Sequence, residues 1–408
     1  MTEPVEYGLL MLILGLVVLL SVPLRQGLRW ACLPGMVGFV ALGAAVSGID
    51  RWSGVLTPAI NDQIEFLAQL GVVALLFRVG LESDPGRLVA QLGRAVAIWL
   101  PNVVLPGLAA FALILVWPGF GTVPAFIMGI AATATSIGVS VAPWEEAGAL
   151  DSEDGALMLD IAELDDLSAV ILLGILFAVA PSLKDGMSDG IWSEVALVGG
   201  FQVLKILGFG ALCFAFSRFA ERRLSAVFAN LDSRLGPFAF AAGAVFVIAA
   251  LADSLGFSLA IGALFAGLAF SRDPAERRID EAFAYILAIF GPFFFLSIGM
   301  SITFDGFGAS LALATALFVV LSAGKLIGAG LPAWAIGGGR TGRVIGASMI
   351  PRAEIYLIVM LHGLTLGAWA VPQELFSAAV VAAIGTAIAG PLVVARLLGA
   401  QRQEAQAT

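Results

Sequence analysis

Hydrophobic residues in this chain fall into long, nearly uninterrupted runs separated by short polar connections. Neither strict alternation nor a heptad seam organises them, so the pattern is that of lipid-facing helices rather than of a water-facing domain. Runs near the roughly 17–25 residues that cross a bilayer lie at about 7–23, 29–48, 65–83, 92–117, 121–143, 155–180, 195–217, 237–254, 257–271, 283–303, 306–335, 343–369 and 374–398. They predict an all-α polytopic membrane protein of about thirteen transmembrane helices. The division between the eighth and ninth runs rests on the turn-forming Asp253-Ser254-Leu255-Gly256. The first run follows MTEPVEYGLL, without a basic start or a small-residue cleavage site, and is expected to be a retained helix.

Composition agrees with the pattern. Of 408 residues, 60% are hydrophobic and 12% charged, about half the charged fraction of a soluble domain. Cys32 and Cys213 both sit in apolar stretches, which argues against a disulfide framework or a cysteine-rich metal site. His362 is the single histidine, so proton chemistry must fall on carboxylates. No nucleophile–base pair, metal cluster or phosphate loop is present, so an enzyme, a bound cofactor and a nucleic-acid partner are not expected.

The net charge of −9 matters less than its distribution. Odd-numbered connections and the C-terminus hold Arg25, Arg29, Arg87, Arg94, Arg218, Arg222, Arg223, Arg234, Arg272, Arg277, Arg278, Arg340, Arg343, Arg396 and Arg402. Even-numbered connections hold Arg51 and Lys184. By the positive-inside rule the N-terminus is outside and the C-terminus cytoplasmic, in a bacterial-type inner (plasma) membrane.

Charges inside the spans are the informative exceptions. The sixth run, LMLDIAELDDLSAVILLGIL, holds Asp160, Glu163, Asp165 and Asp166. Each charge at a helix centre costs about 2.5–3.5 kcal/mol, so this helix must face a cavity, pair its charges or hold some protonated. At about 100° per residue, Asp160, Glu163 and Asp166 share an arc of roughly 120°, with Asp165 about 100° beyond Asp166. At about 1.5 Å per residue, Asp165 and Asp166 lie roughly 15 Å into the span. Two such carboxylates can bind a monovalent metal cation or protons in competition, and their repulsion raises at least one pKa.

The twelfth run places Pro351, Arg352 and Glu354 at mid-membrane, and proline there marks a broken helix. The fifth, MGIAATATSIGVSVAP, reads as a second interruption, and two in matching halves point to inverted repeats. Its Thr133, Thr135 and Ser136 offer hydroxyl oxygens to a hard cation, or serve close helix packing. Lys325, flanked by glycines, either reaches a carboxylate of the sixth run or snorkels to the interface. Arg78 pairs either with Glu82 one turn on or with Asp160 or Glu163. Lys205 fits snorkelling or a funnel lining, and His362 fits packing better than a proton relay.

Taken in order, LPGMVGFVALGAAVSG, LLFRVGLE, ATATSIG, AELDDLSAVILL, SLAIGALFAGLAF, GPFFFLSIGMSI, AGKLIGAG and IPRAEIYLIV give the chain a resemblance to the second family of cation–proton antiporters, the Kef/NapA-type membrane domains. The resemblance covers nearly the whole chain. It implies the NapA/NhaA-like antiporter fold, with two inverted repeats and crossed broken helices, working as a homodimer in the lipid bilayer. Dimer-domain helices would occupy 1–91 and 237–305, core-domain helices 92–180 and 306–398, a linker helix and basic loop 181–236, and a tail 399–408. Asp166 would be the principal cation- and proton-carrying carboxylate, Asp165 and Lys325 the aspartate–lysine pair of sodium-type members, and Arg352 and Glu354 would stabilise the crossing.

The implied function is electrogenic sodium (or lithium)–proton exchange by elevator-type alternating access. Potassium–proton exchange without a regulatory domain is the alternative, and a passive cation channel lacks a repeated pore loop. Glu163 stands where relatives have a small or apolar residue, Ala353 where they have glycine, and Arg78 where they are apolar.

Overall fold

A computed structural model describes residues 7–30, 33–54, 56–82, 85–184, 191–272, 276–302 and 307–407. Within those helices the side chains of 29, 53, 82, 85–92, 166–167, 170, 177–184, 191–199, 202–203, 276, 307–309 and 400–407 lie outside the description. All regular structure among the described residues is helical. The helices are α1 (Tyr7–Trp30), α2 (Gly35–Ser53), α3 (Pro58–Glu82), α4 (Pro85–Val116), α5 (Thr122–Ala131), α6 (Ile137–Glu146), α7 (Glu153–Lys184) and α8 (Ile191–Phe216). They continue as α9 (Arg222–Leu231), α10 (Gly236–Ser254), α11 (Leu259–Phe270), α12 (Glu276–Met300), α13 (Phe307–Gly328), α14 (Gly330–Ser348), α15 (Glu354–Leu366) and α16 (Gln373–Ala407).

Every predicted apolar run contains a helix or a pair of half-helices, and seven helices among the described residues are individually long and apolar enough to cross a membrane. Gly256, at φ 83°, makes the turn that separates α10 from α11. Within the segment 181–236, α9 is joined to α8 by a π-helical turn at Ser217–Glu221. A ten-residue amphipathic stretch is too short to register among membrane-crossing runs. Helix α4 runs from Pro85 to Val116, across residue 91.

The helices pack as two groups. In the first, α3 lies between α11 and α12, and α12 also packs on α2. Glycines set these crossings: a Cβ on Gly43 would overlap the Leu296 carbonyl, and one on Gly267 would overlap the Phe77 carbonyl. Such backbone-to-backbone approach is how helices associate where lipid offers no hydrophobic drive. Phe77, Phe270 and Phe283 fill the gap beside the second crossing. In the other group, α4 packs on α13, and α16 on α13, α14, α15 and α6. A Cβ on Gly324 would come within 2.8 Å of Pro106, and one on Gly390 within 2.6 Å of Pro351, so these glycines seat the prolines of neighbouring segments. Helix α8 packs on both α7 and α11, joining the groups.

Candidate cation and proton site

Two interrupted helices cross inside the second group. Helix α5 ends at Ala131 and α6 starts at Ile137, while α14 ends at Ser348 and α15 starts at Glu354. The two breaks are equally long and are separated by about 220 residues. Ser136 and Ser348, at the break boundaries, hold the crossing together. The Ser136 N–H donates to the Pro351 carbonyl at 2.9 Å, and its hydroxyl donates to Glu354 Oε2 at 2.7 Å. The Ser140 hydroxyl donates to the Ser348 carbonyl at 2.6 Å, and Trp144 Nε1 donates to the Ser348 hydroxyl at 2.9 Å. Each break leaves orphan backbone groups that lipid cannot satisfy, so polar contacts of this kind are what permits it.

Charges sit at three of the four half-helix ends. Glu354 lies in the first turn of α15, and its Oε1 is 3.7 Å from the Cβ position of Gly138 in the first turn of α6. One carboxylate therefore faces two positive N-terminal ends. At the opposite polarity, Lys325 of α13 donates 2.8 Å to the Thr133 carbonyl, just past the C-terminal end of α5.

Asp165 of α7 closes the arrangement. Its Oδ2 accepts from Lys325 Nζ at 2.6 Å, from the Thr135 hydroxyl at 2.6 Å and from Asn102 Nδ2 at 2.7 Å. Asp165, Lys325 and Asn102 are all fully buried. Asp165 Oδ1 and Asn102 Oδ1 have no hydrogen-bond partner among the described residues. Flipping the Asn102 amide would turn its oxygen toward the carboxylate, so the partners fix its orientation. The site thus holds two buried, unengaged acceptor oxygens beside a three-donor cluster, and unengaged buried acceptors suit a cation or a proton.

The expected site residues distribute as follows. Thr135 reaches Asp165 through its hydroxyl, whereas Thr133 contributes its carbonyl and turns its own hydroxyl to the Ile130 carbonyl at 2.8 Å. The Ser136 hydroxyl is engaged by Glu354. Asp166 follows Asp165 on α7, and its side chain lies outside the described residues. Asp160 is buried on the same helix and Glu163 is half-buried. Arg78 is gripped by Asp280 of α12 through Nε–Oδ1 at 2.7 Å and Nη2–Oδ2 at 3.1 Å, while the Glu82 side chain is outside the described residues. Lys205 donates to the Leu255 carbonyl at 3.3 Å and lies over the Phe201 ring.

Arg352 is fully buried, its backbone N–H bonded to the Thr386 hydroxyl at 3.2 Å. None of its three guanidinium nitrogens has an acceptor among the described residues. Sequence reasoning missed Asn102, whose one signal is a lone amide beside Pro101 in an apolar run. The first half of the chain supplies the carboxylate and its neutral donors Asn102 and Thr135, and the second half supplies the buried cations Lys325 and Arg352.

Comparison with known proteins places this geometry. The model of the sodium/hydrogen exchanger transmembrane family matches residues 13–399. The chain is 31% identical to the Na(+)/H(+)-K(+) antiporter GerN of Bacillus cereus, covering 91% of each protein. It is 27% identical to the high-affinity Na(+)/H(+) antiporter NhaS3 of Synechocystis sp., covering 85% of this chain and 74% of that one. It is likewise 27% identical to the K(+)/H(+) antiporter subunit KhtU of Bacillus subtilis, over 82% and 79%. The sodium proton antiporter MjNhaP1 of Methanocaldococcus jannaschii shares the fold at 14% identity, with a TM-score of 0.69 over 96% of this chain and 97% of that one. A family match over nearly all of a chain whose broken helices cross at a buried aspartate–lysine pair makes this protein a multi-pass membrane member of the sodium/hydrogen exchanger family.

Proposed function

We propose that this protein exchanges a monovalent cation, sodium first, for protons, with Asp165 and Asp166 as the shared binding groups. The observation that carries the reading is the buried Asp165–Lys325 pair, at 2.6 Å, at the crossing of the two broken helices. A cation entering this site competes with the Lys325 ammonium and with protons for the same carboxylates, so apparent cation affinity falls as pH falls. With two carboxylates and a lysine in play, more than one proton is exchanged for each monovalent cation, and transport is electrogenic. The group containing α4–α7 and α13–α16 moves against the group containing α2, α3, α11 and α12, in a homodimer with its N-terminus outside. Lithium is carried with sodium.

Potassium–proton exchange is the second reading, supported by the names of two relatives, GerN and KhtU. The deciding experiment is proton flux in liposomes holding the purified protein, with sodium, lithium and potassium added separately under an imposed potential. A potential-sensitive response to sodium and lithium alone supports the first reading, and a potassium response supports the second. Current without proton coupling would make the protein a channel. Asp166→Asn is expected to abolish exchange while the protein still folds, and retained proton-coupled uptake in that variant would remove Asp166 from its assigned role.

A further inference from the structure

Helix α9 has three different sides. Taking about 100° per residue, the Ser225 and Ala229 side turns toward the protein, and Ser225 is buried. A second side carries Leu224, Val227, Phe228 and Leu231, exposed by 41%, 53%, 37% and 79%. The third carries Arg222, Arg223 and Asn230, all exposed. Arg218 and Phe219 in the preceding π-helical turn, and Arg234 and Leu235 just after the helix, are also exposed.

This orientation is held rather than loose. A Cβ on Gly236, at the start of α10, would overlap the Phe228 carbonyl, and the Phe228 ring lies 5.1 Å from that of Phe240. Arg222 Nη2 donates to the Arg272 carbonyl at 3.3 Å, tying α9 to the α11–α12 connection. Two acids lie nearby. Glu221 is buried. Asp232 accepts the Leu235 and Arg234 N–H groups at 2.8 Å each, and these bonds hold its carboxyl below the usual carboxylate range. Asp232 thus stays ionised but is committed to the turn.

We infer that α9 lies in the membrane interface and binds anionic lipid headgroups through Arg218, Arg222, Arg223 and Arg234. Apart from the Phe228 ring against Phe240, the apolar side stays exposed in a chain of membrane-crossing helices, and a basic side beside an apolar one suits the headgroup boundary. Anionic lipid is favoured over zwitterionic lipid by charge complementarity alone. The consequence reaches the linker, because α9 is the foot of α8, which packs on α7 and on α11. Lipid bound there fixes one end of the helix that joins the two groups. This inference does not depend on which cation is carried.

The test is the unfolding midpoint of the purified full-length protein in detergent, titrated with phosphatidylglycerol, phosphatidylcholine or inorganic phosphate. Phosphatidylglycerol is expected to raise the midpoint by several degrees, with little effect of the other two. Arg222→Gln with Arg223→Gln should keep the lipid-free midpoint and raise the half-saturating phosphatidylglycerol concentration about fivefold per arginine removed. Arg222→Lys with Arg223→Lys should restore most of the response, which a purely structural role of the Arg222–Arg272 contact would not. Equal effects of phosphatidylcholine, or an unchanged response in the glutamine variant, would overturn the inference. So would an equal effect of inorganic phosphate, which would mark a free-anion site. Leu231→Ser that changes the oligomeric state without weakening the lipid response would assign the apolar side to a second copy, and would also overturn it.

Discussion

The Asp165 carboxylate accepts three hydrogen bonds through one oxygen and none through the other. Removing Lys325 therefore strands a buried anion, which costs about 3–5 kcal/mol when no rearrangement compensates. Lys325→Ala is expected to lower the unfolding midpoint in detergent markedly and to change the number of charges moved per cation. If it changes neither, the pair has no role in holding or working the site. Asn102→Ala removes one donor and should cost about 1–3 kcal/mol. Arg352 behaves differently, because its guanidinium makes no hydrogen bond that substitution could break. Arg352→Met is expected to leave the unfolding midpoint unchanged or higher while shifting the cation dependence of transport, since its charge is coupled to that of Asp165. A fall as large as that of Lys325→Ala would show Arg352 to be a structural clamp instead. Asp165 and Lys325 stood out in the sequence because charge is expensive in a bilayer. Asn102 carries no charge and did not. The Thr133 hydroxyl is visible in the sequence, whereas the carbonyl that accepts from Lys325 is a group every residue has and no sequence pattern singles out.

Whole helices show the same division between what chemistry announces and what geometry decides. Both breaks were legible, one from Pro351 and one from the Thr/Ser-rich stretch, because proline and small polar residues weaken the helical ladder. The hydrogen bonds that let the breaks cross were not legible, since Ser136 meets Pro351 and Glu354 from opposite halves of the chain. The Arg78–Asp280 pair is similar, since the two residues lie about 200 positions apart in sequence and meet only when α3 packs on α12. The glycine crossings were visible as glycines only, and their partners came with the fold. Gly267→Val is expected to cost about 1–3 kcal/mol, because its Cβ meets the Phe77 carbonyl rather than a movable side chain. Denaturant or thermal unfolding would check this, with Gly243→Val on α10 as a control, since nothing lies within 4 Å of a Cβ there. The Asp232 turn beside α9 carries a sign for pH. Its depressed carboxyl pKa means that the turn is fully formed above the ordinary carboxylate range and loosens only as pH falls through the lowered value.

At the scale of the molecule, the two helix groups differ in how they are built. Within the first, glycines lock backbone to backbone at Gly43–Gly299 and Gly80–Gly267. Between the groups the contacts are sparser: α11 touches α7, α8 bridges, and the Gln373 amide at the start of α16 donates to the Ser301 carbonyl just past α12. Locked crossings move as one body, whereas a seam of side-chain contacts can slide. Apolar runs sufficed to predict an all-helical membrane protein, but only the crossings divide its helices into groups. The proposed sliding predicts that tying Gln373 to Ser301 stops transport. In a background lacking Cys32 and Cys213, Ser301→Cys and Gln373→Cys should be joined by a short bifunctional thiol reagent, arresting exchange until a reductant releases it. The same reagent across Arg78→Cys and Asp280→Cys links α3 to α12 inside one group and should leave exchange at the level measured before linking. Exchange that survives the Ser301–Gln373 link would mean that the site opens to the two sides without relative motion of the groups, leaving rearrangement within the crossed half-helices as the source of alternating access.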